Sequence, residues 1–227
     1  MVKSFINKMS AIFQHGSFNT LYGGFYEGTI TAGEALKYGQ IGIGTLDGAD
    51  GEVIILDGTA YHGNSENQVR IVKPDETLPY VAVIDHQPFA TYKVNGLTMQ
   101  TLHDLTEKFP TRNTAYSLKM TGHFESVEIS SKPAKNTKNY LEILAEQPHF
   151  AEKNISGTIV GIWSPKFLED LYGDGAHLHF LSDDKTFGGH LTEFLSGQIT
   201  IEVGQVGEMK QEFPQENENF KAMRFES

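Results

Sequence analysis

The chain has 227 residues, 39% of them hydrophobic and 11% aromatic, which is enough apolar material for one large or two small globular domains and too much for a disordered chain. Its 29 acidic and 18 basic residues give a formal charge of -11, and with no dense lysine or arginine stripe to offset it, nucleic acid and anionic membrane surfaces are excluded as expected partners. Cysteine is absent, so disulfides and thiolate metal sites are excluded, any transition-metal site must use histidine and carboxylate, and a reducing cytoplasm is the expected compartment.

The opening stretch MVKSFINKMSAIFQHGSF lacks the continuous apolar core of a signal peptide, and no later apolar run approaches the roughly 20 residues that span a bilayer. TAGEALKYG reads as a helix, with Thr31 and Glu34 in a capping-box pattern and Gly39 closing the C-terminus. QIGIGTL and EVIILDGTAYHG read as strands, the second turned by Asp57-Gly58, and YVAVIDH as another buried strand. TMQTLHDLTEKF is an expected helix, with Thr98 as N-cap, Leu97 and Leu102 as a hydrophobic staple and Pro110 as stop. TAYSLKMTGHFESVEISS reads as a long strand or hairpin whose apolar parity shifts after Phe124, the mark of a bulge or bend.

Beyond Lys132-Pro133, NTKNYLEILAEQ reads as a helix and SGTIVGIW as a buried run. Ser164-Pro165 fits the N-cap and first turn of a helix over PKFLEDLY, ended by Gly173. QITIEVGQV alternates as a strand, with Ile199, Ile201 and Val203 on one face. The expected fold is mixed α/β (α+β) in two domains with mostly antiparallel sheets. Residues 1–131 form an N-terminal domain and residues 132–227 a C-terminal one that carries a histidine-bearing hairpin.

That hairpin is GAHLHFLSDDKTFGGH. In a strand, residues i and i+2 face the same way, roughly 6.5 to 7 Å apart, so His177 and His179 look in one direction. Asp183, Asp184 and Gly188-Gly189 suit a reversal that returns His190 beside them. Three converging neutral imidazoles match a catalytic zinc, with one position left open. On composition and spacing alone a surface hairpin that carries histidines for no chemical reason fits as well. His62 and His86 lie at or near strand ends, and His15, His103, His123 and His149 have no partner at ligand spacing, so each reads as structural or solvated, and Trp163 as core or interface.

GIGTLDGADGEVIILDGTAYH, NISGTIVGIWSP and GAHLHFLSDDKTFGGH, in that order and at those spacings, resemble the α-acetolactate decarboxylase family. Weaker similarity runs from LYGGFYEGT near Leu21 to Phe213-Pro214. The resemblance implies a two-domain α/β enzyme, usually a homodimer, that holds Zn²⁺ through His177, His179 and His190. It implies conversion of the small anionic 2-hydroxy-3-oxo acid 2-acetolactate to acetoin and carbon dioxide, on the route to butanediol. On matching positions Glu52 takes the place of the family's active-site glutamate and Thr45 that of a threonine seven residues before it. Outside that context Glu52 reads as a solvated charge opening a strand and Thr45 as a β-branched strand residue.

Two departures stand out. Where the family has an arginine, register from Gly122 and Phe124 to Pro133 puts Ser130, which offers neither charge nor a bidentate fork. Lys132, two residues on, lies on the same strand face if the strand stays regular, and otherwise reads as a surface lysine before a loop. Relatives also continue past the stretch after Phe213-Pro214 to a glutamate that reaches the metal; Glu226 comes too early in register to take that place. A weakened decarboxylase, a relative with an altered substrate and a non-catalytic zinc-binding module therefore stay open. So does a cupin-type metal protein, although that fold wants a glutamate a few residues after the second histidine and a more distant third histidine, where this chain has Asp183 and His190.

Overall fold

The computed structural model describes residues 9–134, 136–173 and 175–224. The opening residues 1–8, read above as part of a segment with no leader, and Glu226 lie outside them. In chain order the elements are β1 (Ser10–His15), α1 (Phe18–Tyr22), β2 (Ile30–Thr31), α2 (Ala32–Ala35), β3 (Ile41–Leu46), β4 (Asp50–Leu56), β5 (Thr59–Gly63), β6 (Val69–Ile71), β7 (Thr77–Leu78), β8 (Tyr80–Asp85) and β9 (Ala90–Val94). There follow α3 (Met99–Thr106), β10 (Tyr116–Ser130), α4 (Tyr140–Glu146), β11 (His149–Ser164), α5 (Glu169–Tyr172), β12 (Gly175–Ser182), β13 (Gly188–Glu212) and α6 (Glu218–Ala222). The fold is mixed α/β, as expected, with strands dominating. Among the described residues no helix is long and apolar enough to cross a membrane.

The main sheet follows the path β10-β11-β12-β13-β1-β8-β3-β4-β5-β6, and β10 also pairs with β13, so that β10 to β13 close on themselves. Pairing is antiparallel except where β1 runs parallel to β13. The closed part encloses Leu118, Met120, Phe124, Ile159, Phe180 and Ile201. A second cluster joins Ile43, Ile54 and Ile84 to Val160, Ile162 and Leu181. Strands from either side of residue 132 thus share both a hydrogen-bonded sheet and a core. Burial of apolar area holds them together at about 25 cal/mol per Å² removed from water.

Local chemistry accounts for the elements. Thr31 Oγ1 accepts from the Glu34 N–H at 3.3 Å while the Glu34 carboxylate accepts from the Thr31 N–H at 3.3 Å, the reciprocal box that starts α2. Asp57 and Gly58 take φ of 50° and 78°, and two successive left-handed residues make the turn whose twist matches the β4–β5 hairpin. Leu97 and Leu102 are both buried beside the Thr98 cap of α3. The parity shift after Phe124 corresponds to irregular register against β13 between Gly122 and Phe124 and again between Phe124 and Ser126.

Four local expectations need correction. Helix α3 ends at Thr106, short of Pro110, and the Thr106 hydroxyl takes up the His103 carbonyl at 2.7 Å. Gly39 does close the helical stretch that runs on through Leu36–Tyr38, but with extended backbone, φ of 172°, in place of a left-handed cap; the chain passes there directly over the Ile84 carbonyl. Ser164 caps no helix: it ends β11, and its hydroxyl donates to the Gly173 carbonyl at the far end of α5. Finally, Gly188 and Gly189 lie in β13, and within the reversal Lys185 takes the positive φ, 61°.

His86, just after β8, is buried, with Nδ1 2.7 Å from Ser117 Oγ and Nε2 without a partner among the described residues. Burial, helped by the charge of Lys119 and opposed by Asp85, lowers its pKa from 6.5 to about 4. Between those values the unfolded chain binds a proton that the folded chain refuses, so stability is complete above pH 6.5 and is lost as pH falls toward 4. Denaturant melts of wild type and His86→Gln across that window should show a shallower loss with falling pH in the variant.

Candidate active site

The site begins with the register of one hairpin. His179 pairs with His190 across β12 and β13, so both side chains stand on one face, and His177 shares it by strand alternation. The three ring centroids lie 5.2 to 5.5 Å apart, and one nitrogen from each ring falls within 4.8 Å of the others. Main-chain carbonyls hold two rings from behind: His179 Nδ1 donates to Val53 O at 2.9 Å and His177 Nδ1 to Tyr172 O at 3.2 Å. Those bonds put the proton on Nδ1 and leave Nε2 as a bare acceptor. His179 Nε2 is buried with no hydrogen-bond partner among the described residues, a state that costs free energy unless something else takes its lone pair.

Burial, reinforced by the neighbouring positive groups, lowers the pKa of His177 and His179 well below the ordinary value and that of His190 to about 4. The imidazoles are therefore neutral at neutral pH, the form that ligates metal. Three neutral nitrogen donors without sulfur fit a divalent transition ion of the zinc class and leave a coordination position open.

β4 brings the opposing wall. Glu52 pairs with Gly63 on β5. A Cβ on Gly63 would stand 2.1 Å from the Gly188 carbonyl, so only glycine lets β5 come this close to the start of β13. That approach sets Glu52 beside the hairpin: its Oε2 lies 3.4 Å from His179 Nε2, and its Oε1 receives Lys132 Nζ, both side chains being buried. The Lys132 carbonyl accepts from the Gly51 N–H at 3.2 Å, which fixes the lysine next to Glu52. Burial raises the Glu52 pKa, opposed by the charge and hydrogen bond of Lys132. The solvated-charge reading of Glu52 is thereby excluded.

Thr45 also lines this cavity, but its hydroxyl is committed to the main chain, donating to Gly51 O at 2.8 Å and Asp50 O at 3.2 Å. It restrains the turn that presents Glu52. Ser130 pairs with His190 across β10 and β13; its hydroxyl is buried without a partner among the described residues and is not part of the cavity wall. Lys132 is. The cavity holds about 50 Å³, on a measure by which one buried water needs about 10–15 Å³, so it suits a small molecule and excludes a polymer. Phe18 and Leu21 of α1, Tyr80 of β8, and Tyr140 and Leu144 of α4 complete its wall. The sequence reading did not single these out. Tyr140 and Leu144, four apart on one helical face, carried a usable signal; Phe18, Leu21 and Tyr80 looked like ordinary core.

The alpha-acetolactate decarboxylase family model matches residues 12–227. Alpha-acetolactate decarboxylase of Lactococcus lactis subsp. cremoris is 38% identical over 218 residues, covering 95% of this chain and 92% of that protein. The Streptococcus thermophilus protein of the same name is 39% identical over 220 residues, covering 94% and 92%. Among solved structures, a Staphylococcus aureus protein described as similar to alpha-acetolactate decarboxylase superposes with a TM-score of 0.92 at 30% identity, covering 95% of this chain and 94% of that one. The alpha-acetolactate decarboxylase of Bacillus subtilis strain 168 superposes with a TM-score of 0.90 at 27% identity, covering 96% and 94%. These likenesses span nearly the whole chain and displace the cupin-type reading: the chain belongs to the alpha-acetolactate decarboxylase family and is an enzyme of the lyase class.

Proposed function

We propose that this protein decarboxylates 2-acetolactate to acetoin and carbon dioxide with a zinc ion held by His177, His179 and His190. The observation that carries the reading is the set of three imidazoles, one with an orphaned buried Nε2, facing a buried Glu52–Lys132 pair across a small cavity. The absence of cysteine supports a cytoplasmic setting, and the family resemblance supports a homodimer.

In the reaction the bond between C2 and the carboxylate breaks and carbon dioxide leaves. The electron pair delocalises onto the C3 oxygen as an enediolate, and a proton returns to C2. A bound zinc ion supplies Lewis-acid stabilisation of that negative charge. Glu52 moves the proton. Lys132 occupies Oε1, so Oε2, on the side of His179, is the oxygen that takes the proton of the substrate hydroxyl and delivers it to C2, while a proton from solvent, the one the overall reaction consumes, restores the hydroxyl of acetoin. Burial holds the carboxyl's affinity for that proton up, and Lys132 keeps the ionised form accessible. Lys132 is thus a positioning residue that also offers the cavity's positive charge to an anionic substrate. Phe18, Leu21 and Leu144 keep the site poor in water, which strengthens each of these interactions.

Zinc-loaded protein given racemic acetolactate should release acetoin well above the spontaneous blank, and His177→Ala should lose both the metal and the excess product. Stoichiometric zinc without excess product would sink the decarboxylase reading in favour of a relative acting on another substrate, with Ser130 as the departure that favours it. Glu52→Gln keeps the shape but cannot shuttle the proton, and kcat should fall about 10²–10⁴-fold with zinc retained. Lys132→Met should lower kcat/KM about 10²–10³-fold. Because Lys132 holds the Glu52 pKa down, the same variant should move the limb of the pH–rate profile that belongs to Glu52 to higher pH.

A further inference from the structure

The hydrogen-bond donors of the cavity wall are mostly committed. Lys132 is on Glu52, the Thr45 hydroxyl is on Gly51 and Asp50, and the Nδ1 protons of His177 and His179 are on Tyr172 and Val53. Tyr80 is different. It pairs directly with Thr45 across β8 and β3, so the two side chains stand on the same face and both line the cavity. The residue is 2% exposed, and its hydroxyl is buried with no hydrogen-bond partner among the described residues. A buried phenol normally finds one.

The ring has little freedom to seek a partner elsewhere. Phe18 meets it edge-on at 5.4 Å between centroids, and the His177 imidazole lies 6.4 Å away at an interplanar angle of 24°. Burial also raises the phenol pKa well above its usual 10, so the group is a neutral donor that keeps its proton. A fixed neutral donor beside the metal ligands suits an oxygen whose negative charge grows during reaction. It suits the substrate carboxylate less, because that charge leaves as neutral carbon dioxide and a donor fixed on it would favour the ground state.

We propose that Tyr80 is a catalytic residue whose hydroxyl donates to the C3 oxygen of the bound 2-hydroxy-3-oxo acid, the oxygen that carries the enediolate charge. This rests on the decarboxylase reading of the site. No proton is transferred from Tyr80: the hydrogen bond strengthens as the C2–carboxylate electron pair moves to oxygen, and Glu52 handles the proton that reaches C2.

The test is Tyr80→Phe, which removes one buried atom and leaves the ring packing. With zinc content equal to wild type, kcat for acetoin release should fall about 10- to 100-fold with little change in KM. The melting temperature should be unchanged or higher, because an unsatisfied hydroxyl has gone. Competitive inhibition by 2-hydroxy-2-methylpropanoate, a hydroxy acid without the keto oxygen, should be the same in both proteins. Wild-type kcat in the variant, or a weaker inhibition constant for that compound, would overturn the assignment while leaving the decarboxylase reading in place. No acetoin above the blank from wild-type protein would overturn both.

Discussion

The 2.9 Å hydrogen bond from His179 Nδ1 to the Val53 carbonyl ties the two halves of this active site together. Val53 follows Glu52 on β4, and His179 is the member of the imidazole cluster on β12 that lies 3.4 Å from the Glu52 carboxylate. One bond therefore fixes the tautomer of the ring, aims its Nε2 into the cavity and sets how far the carboxylate stands from it. The close passage of Gly63 over the Gly188 carbonyl makes that bond possible. A side chain at position 63 would push β5, and β4 with it, off the hairpin.

The same arrangement concentrates cost at one place. Glu52 and Lys132 are a buried ion pair, and the attraction between such charges roughly offsets the loss of their hydration without a large surplus. Around them lie buried polar atoms at His179 and Tyr80 without partners among the described residues. A chain optimised for stability alone would replace them with hydrocarbon. Their retention inside otherwise dense cores of aliphatic and aromatic side chains marks a site held ready for a ligand that completes its bonding.

Much of this was legible in the sequence because the signals were short-range. The spacing of His177 and His179 needs only strand alternation, and the return of His190 needs only a reversal. The Asp57-Gly58 turn and the Thr31 and Thr98 caps follow from dihedral preference and hydroxyl placement. Long-range pairing was not legible. Nothing local says that β10 pairs with both β11 and β13, or that β1 joins the sheet in parallel beside β13. Tyr80 illustrates the limit for the site: in YVAVIDH its ring is one more apolar strand residue, and its unpartnered hydroxyl becomes visible only when Thr45, Phe18 and His177 surround it. The Ser164 cap failed for a related reason, since a tertiary acceptor at Gly173 outcompeted the helix start.

The central claim is that one ring nitrogen from each of His177, His179 and His190 converges on one metal ion beside Glu52. X-ray absorption and anomalous diffraction at the zinc edge on metal-loaded protein test it most directly. The expected result is one ion per chain bonded to Nε2 of His177 and His179 and to one ring nitrogen of His190 at about 2.0–2.1 Å, with Nδ1 of His177 and His179 still on the Tyr172 and Val53 carbonyls. Ligation through Nδ1 of His177 or His179, or an ion seated away from these three rings, would contradict it.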